Sequence, residues 1–193
     1  KNNNSNNNNH HQLAAKVFDA TRPLDAVHEA KMLAAAAGSD HVMQLCGLFT
    51  APDYFCSGSS RDVLLMEHCD GSFRAELEQG PASEHRSAVV LAGLLSAVEH
   101  IHSCEILHRD VKADNILLAS KDGRVLLADF GMAVRATDEN IKWTCGSAGH
   151  MAPEIIEGEA GSDKMDVFAA GVVLFAAVTL KLPFDALFTS WKF

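Results

Sequence analysis

The sequence predicts an α+β fold in two lobes, a small strand-rich part followed by a mainly helical part. Three observations lead there. Up to residue 70 the chain is mostly short apolar runs bounded by turn residues, with one helical stretch among them. After Asp70-Gly71 the apolar positions take up longer helical spacing. Strands and helices do not alternate regularly, as they would around a doubly wound parallel sheet.

The 193 residues are 48% hydrophobic and 21% charged. That suffices for one medium domain or two small lobes, and is too apolar for a disordered chain. Lys plus Arg number 16 against 25 Asp plus Glu, a formal charge of -9. A net acidic chain is a poor candidate for wrapping nucleic acid. The five cysteines (Cys46, Cys56, Cys69, Cys104 and Cys145) are scattered and form no Cys-x-x-Cys pair. We expect no disulfide framework and an intracellular setting, cytoplasmic or nuclear. The N-terminus lacks the apolar core of a signal peptide. The longest apolar stretch, Val167 to Leu180, falls short of the roughly 18 residues a bilayer span needs. It is expected to be a buried core helix, not a membrane span.

Residues 1–12, KNNNSNNNNHHQ, form an Asn-rich low-complexity segment that cannot build a core. Leu13 to Phe18 reads as a strand with one lysine, Lys16, inside it. Asp25 to Ala37 places Val27, Ala30, Leu33, Ala34 and Ala37 near helical spacing, and Gly38-Ser39-Asp40 ends it. Val42 to Phe49 and Val63 to Met66 read as strands around a Gly- and Ser-rich loop, Pro52 to Arg61. Ser87 to His102 predicts an amphipathic helix with Leu91, Leu94, Leu95, Val98 and Ile101 on one face. Ile116 to Leu118 and Val125 to Leu127 flank Lys121-Asp122-Gly123, a hairpin signal. Residues 132–154 are polar and turn-rich, and the apolar helix from Asp166 follows.

The most informative stretch is His108-Arg109-Asp110-Val111-Lys112-Ala113-Asp114-Asn115, followed by Asp129-Phe130-Gly131. The hairpin brings the ends of its two strands together, so Asn115 and Asp129 should converge. Their oxygens are hard donors suited to Mg²⁺. Asp110 lies just upstream, placed to accept a proton from a hydroxyl. Lys112 could neutralise charge on a transferring phosphoryl group.

HRDVKADN, DFG and Ala152-Pro153-Glu154, in this order with a hairpin between the first two, resemble the catalytic loop, metal-binding turn and activation-segment end of eukaryotic protein kinases. The resemblance implies a two-lobed kinase-like fold, with residues 13–69 as part of the N-lobe and the hinge, and 70–193 as part of the C-lobe. It implies a protein serine/threonine kinase using ATP and Mg²⁺ on a protein substrate, since Lys112 stands two residues after the catalytic Asp as in the serine/threonine class. Asp110, Lys112, Asn115 and Asp129 would be catalytic, with Asn115 and Asp129 holding the metal. Leu13-Ala14-Ala15-Lys16 is similar to the Val-Ala-Ile-Lys strand, so Lys16 would hold phosphates and Glu29 would pair with it. Met66-Glu67-His68-Cys69 resembles the hinge. There the backbone of Glu67 and Cys69 would bond adenine, and Ala14 and Leu117 would sandwich its ring. Leu33, Leu45, His108, Phe130 and Asp166 match the family's internal stack. Asp166, at the start of an apolar helix, could also cap backbone N–H groups. Ser147 would contact Asp110 and Lys112. Arg109 would pair with a residue phosphorylated by an upstream kinase, with Thr144 and Thr137 as candidates. Glu154 would pair with an Arg further along the family's domain.

Ala148, Gly149 and His150 replace the family's usual Pro and aromatic. No Gly-x-Gly-x-x-Gly precedes Lys16, and the chain stops at Trp191-Lys192-Phe193, soon after the apolar helix. We therefore expect a piece of a larger domain, unstable by itself through exposed apolar patches. Two other readings are a non-catalytic kinase-like scaffold and a small-molecule phosphotransferase; Lys112, DFG and APE oppose the second. A His/Cys metal site finds little support, because His100 and His102 are two apart and do not share a helix face.

Overall fold

The structure is a computed structural model that describes residues 12–19, 23–52, 60–119, 122–138 and 146–184. The Asn-rich segment (except Gln12), Cys56, Thr144, Cys145 and the last nine residues lie outside the described residues.

The first lobe is a three-stranded antiparallel sheet. Strand β1 (Leu13–Val17) pairs with β3 (Ser60–Glu67), which pairs with β2 (Leu45–Pro52), in the order β1-β3-β2. Side chains alternate along β1, so Ala14 and Lys16 share the more buried face while Leu13, Ala15 and Val17 face outward. Helix α1 (Pro23–Ala35) crosses this lobe. Its inner face is small, with Ala26, Ala30 and Leu33 buried, which lets the helix approach β2 and β3 closely. The expected strand from Val42 begins later, at Leu45. Val42 itself makes a parallel bridge to Leu127, so residues 41–43 stitch the first lobe to the second.

The second lobe begins with β4 (Cys69–Ser72), which pairs with β6 (Ile116–Ala119), itself paired with β7 (Val125–Leu127). Ser72 and Ser83 cap the helices α2 (Phe73–Leu77) and α3 (Glu84–Ser103), each hydroxyl accepting from a backbone N–H three residues on. Arg86 donates two hydrogen bonds to Glu76, tying α3 to α2. Short strands β5 (Ile106–Leu107) and β8 (Val134–Arg135) pair with each other. Helices α4 (Pro153–Ile156) and α5 (Lys164–Thr179) complete the lobe.

Two helix expectations need correction. On α3 the buried stripe runs through Val90, Leu94, Ala97, Val98 and Ile101, while Leu95 is 39% exposed. Leu94 points at the core, so its neighbour is turned about 100° away. Helix α5 is not buried all round: Val167, Phe175 and Val178 are exposed, as is Leu180 just beyond its end. Its buried side, which includes Ala169, Ala170, Val173 and Ala177, packs on α3.

One apolar core runs through both lobes, from Leu33, Met43 and Leu64 through Phe130 to Leu94, Ile101 and Val173. A smaller cluster (Leu107, Val134, Ala152, Ile155 and Met165) lies beneath the segment that leads into α4. Gly93 is where α3 meets β7 most closely. A Cβ there would stand 2.8 Å from the Val125 Cβ and 3.2 Å from His41 Nδ1. Gly93→Ala should therefore destabilise the fold, since overpacking costs about 1–3 kcal/mol and helix propensity returns only about 1 kcal/mol. A lowered denaturant midpoint at unchanged slope checks this.

Candidate functional site

Lys16 is turned inward by the alternation of β1 and meets two carboxylates. Its Nζ lies 2.7 Å from Glu29 Oε2 and 2.8 Å from Asp129 Oδ1. Glu29 is only 1% exposed. Burial pulls the Lys16 ammonium down, but the hydrogen bonds to Asp129 and Glu29 outweigh it and the net direction is up. Burial raises the Glu29 carboxyl, and Lys16 offsets part of that rise. We read the group as a charged cluster, because each acceptor faces the ammonium at full hydrogen-bond contact.

Asp129 has a left-handed backbone (φ 62°), a strained setting for a residue with a Cβ. The turn sends Phe130 into the core, its ring centroid 4.9 Å from that of His108. At Gly131 a Cβ would stand 3.4 Å from Asp129 Oδ1 and 3.6 Å from Glu29 Oε2, so glycine leaves this space open between the carboxylates.

The 108–115 loop supplies a second group of polar side chains. Asp110 accepts from Lys112 Nζ at 2.7 Å, from Ser147 Oγ at 2.8 Å and from Asn115 Nδ2 at 3.1 Å. Lys112 Nζ also donates to Ser147 Oγ at 2.8 Å. The Asn115 amide nitrogen is thus committed to Asp110, which leaves its amide oxygen as the donor for a cation. Ala128 N donates to Asn115 O at 2.9 Å, so the hairpin sets Asn115 beside the residue before Asp129.

This loop is held by Asp166, whose Oδ2 accepts from His108 N and Oδ1 from Arg109 N, each at 2.8 Å. Its carboxylate thus bonds the loop backbone, and the N-cap position of α5 is taken by Asp163 without a side-chain cap bond. His102 Nε2 lies 2.9 Å from the same Oδ2. Burial lowers the His108 imidazole below its ordinary value. Its Nδ1 accepts from Asp110 N and its Nε2 faces the Ala128 carbonyl, so the neutral ring carries its hydrogen on Nε2.

The remaining sequence candidates are distributed around this centre. Ala14 lies opposite Met66 in the β1–β3 register, and Leu117 pairs with Ser72 and Leu126. Glu67 Oε1 accepts from Gln44 N. The Cys69 thiol is pushed up to about 11, first by burial and then by Glu67 and Asp70, so it is protonated at neutral pH. Arg109 Nε donates to the Met132 carbonyl at 2.8 Å. Thr137 is exposed, and Glu154 is half-buried on α4. His100 Nε2 meets the Ala36 carbonyl, away from the partner of His102.

Sequence reasoning missed three contacts: Lys16 to Asp129, His102 to Asp166, and His28 Nε2 to the Ala133 carbonyl at 2.8 Å. The only available signal for the last was the position of His28 beside Glu29.

A strand lysine on a helix glutamate and a left-handed aspartate, together with an Asp–Lys–Ser ring, is the layout of a two-lobed kinase-like domain. The chain belongs to the protein kinase family, whose Protein kinase domain matches residues 3–190. Serine/threonine-protein kinase PEPKR2 of Arabidopsis thaliana is 33% identical over 177 residues, 87% of this chain and 36% of that protein. Aurora kinase B of Xenopus tropicalis is 35% identical over 128 residues, 65% of this chain and 35% of that protein. Sperm motility kinase 3A of Mus musculus is 37% identical over 127 residues, 64% of this chain and 25% of that protein. The chain thus spans well under half the length of each of these relatives.

Proposed function

We propose that this chain is the core of a protein serine/threonine kinase that transfers the γ-phosphoryl group of ATP to a protein hydroxyl. The observation that carries the reading is the meeting of Lys16 with both Glu29 and Asp129. It gathers a phosphate-anchoring cation and a metal-binding carboxylate at one point. Asp110 orients the substrate hydroxyl and takes its proton. Lys112 neutralises charge on the transferring group, and Ser147 fixes both side chains. Asn115 and Asp129 fit Mg²⁺ by chemistry, since an amide oxygen and a carboxylate are both hard donors. When bound, the ion supplies charge neutralisation for the phosphates. Adenine would lie against the backbone of Glu67 and Cys69, between Ala14 and Leu117. Arg109, Thr144 and the exposed Thr137 are the residues through which an upstream kinase would act.

The cysteines among the described residues, Cys46, Cys69 and Cys104, are free, and an intracellular setting is part of the same proposal. No helix among the described residues is long and apolar enough to cross a membrane.

Phosphotransfer from labelled ATP to a mixed Ser/Thr peptide substrate tests the reading. Activity in the wild type and its loss in Asp129→Asn support it. Equal, background-level signal from both would discard it in favour of a binding or scaffold module.

A further inference from the structure

The sheet carries Lys16, but α1 carries Glu29, so something must fix α1 relative to the site. Consecutive residues on a helix point about 100° apart. Glu29 faces Lys16, and His28 therefore faces a different neighbour: the backbone 105 positions on, where its Nε2 meets the Ala133 carbonyl at 2.8 Å. Ala133 is fully buried, so that carbonyl needs a donor. An imidazole donates from Nε2 both in its Nε2–H tautomer and as imidazolium, so the bond survives either charge state.

The same short stretch is held from the other side. Arg109 donates to the carbonyl of Met132, the residue before. Directly beyond, Val134 and Arg135 pair with β5, and Ala136 N donates to Glu105 O at 2.8 Å. The stretch 132–136 is thus a rigid part of the second lobe, and His28 docks α1 onto it.

We infer that His28 is a positioning residue. By donating to the Ala133 carbonyl it holds α1 against the backbone after Asp129-Phe130-Gly131, and so keeps Glu29 on Lys16. The contact is made to main chain, so it needs no phosphoryl group on the 132–154 segment. The inference rests on the kinase reading for its catalytic consequence, but not for the contact itself.

Substitution by Ala, Gln and Asn separates this role from mere space filling. The Gln amide nitrogen reaches about as far as His Nε2, whereas the Asn nitrogen matches Nδ1 and stops short. Two measurements are made on each variant of the protein: amide hydrogen exchange over residues 23–36 and 130–136, and kcat and KM for ATP. His28→Ala and His28→Asn should speed exchange in both stretches and lower kcat/KM for ATP about tenfold, mainly through KM. His28→Gln should restore slow exchange and most of kcat/KM. Equal behaviour of Gln and Asn, or exchange in His28→Ala matching the wild type, would overturn the inference. If the wild type transfers no phosphate while exchange follows the Ala, Asn, Gln pattern, the kinase reading fails and the docking role of His28 stands.

Discussion

Asp110→Asn is expected to lower kcat by about 10²–10⁴-fold, the usual contribution of a positioned acid–base group. The thermal midpoint should move little. Asn keeps one oxygen to accept from Lys112, and its amide can donate to the Ser147 hydroxyl, which rotates to suit. What it lacks is the basic carboxylate. Burial pushes the Asp110 carboxyl up, but the hydrogen bonds from Lys112 and Ser147 outweigh burial, and the net direction is below the ordinary carboxylate value. The sign follows from linkage. A depressed carboxyl lends stability above its unfolded value and loses it as pH falls through the lower folded value. Asp110 is therefore ionised throughout neutral pH, and no acid limb from it should appear in kcat/KM between about pH 6 and 8. Single-turnover transfer beside a thermal melt checks the pair of outcomes. An Asp110→Asn enzyme within tenfold of wild type would remove Asp110 from its proposed role.

Asp166→Ala is expected to be the most destabilising single change in the second lobe. Asp166 is 1% exposed, and its two oxygens accept from His108 N, Arg109 N and His102 Nε2. Truncation leaves two backbone N–H groups without an acceptor inside the protein. That costs about 3–5 kcal/mol, against a typical total of about 5–15 kcal/mol. Arg109 adds to the effect. Its backbone sits at φ 67°, a left-handed conformation that only its anchors maintain. Without the carboxylate this strain can relax, and the 108–115 loop leaves its bonded geometry. Asp166→Asn keeps one acceptor and should fall between. Equilibrium denaturation measures both, and a shift below about 0.5 kcal/mol for the Ala variant would contradict this account.

Where information is local, the sequence was readable. Asp122-Gly123 marked the β6–β7 turn, and Gly123 takes the positive φ that such turns require. Lys16 was singled out by the likeness of Leu13-Ala14-Ala15-Lys16 to the family's strand, and the 108–131 stretch carried its chemistry within one hairpin. Other features depend on partners far along the chain. Strands β5 and β8 are two residues each, too short for periodicity to register. The bulge near Cys46, where β2 passes from Leu45 opposite Met66 to Gly47 opposite Leu65, exists only in the pairing with β3. An apolar stretch such as Val167 to Leu180 reads as buried on all sides, because hydrophobicity says nothing about how many sides are covered. Histidine was the least readable residue. His28 and His102 each hold an oxygen far along the chain, and their local sequence does not name the partner.

The stitch between the lobes at residues 36–43 has a mechanical consequence. His100 meets the Ala36 carbonyl at the end of α1, and the 41–43 backbone is bonded to Leu127. That end of the helix is a fulcrum. Glu29 lies six residues up the helix from Ala35, a lever arm of about 9 Å. A swing of roughly 10° away from β1 displaces it by about 1.6 Å, enough to carry a contact of 2.7 Å past salt-bridge range. A small angular play at the pivot is therefore a large change at the ammonium.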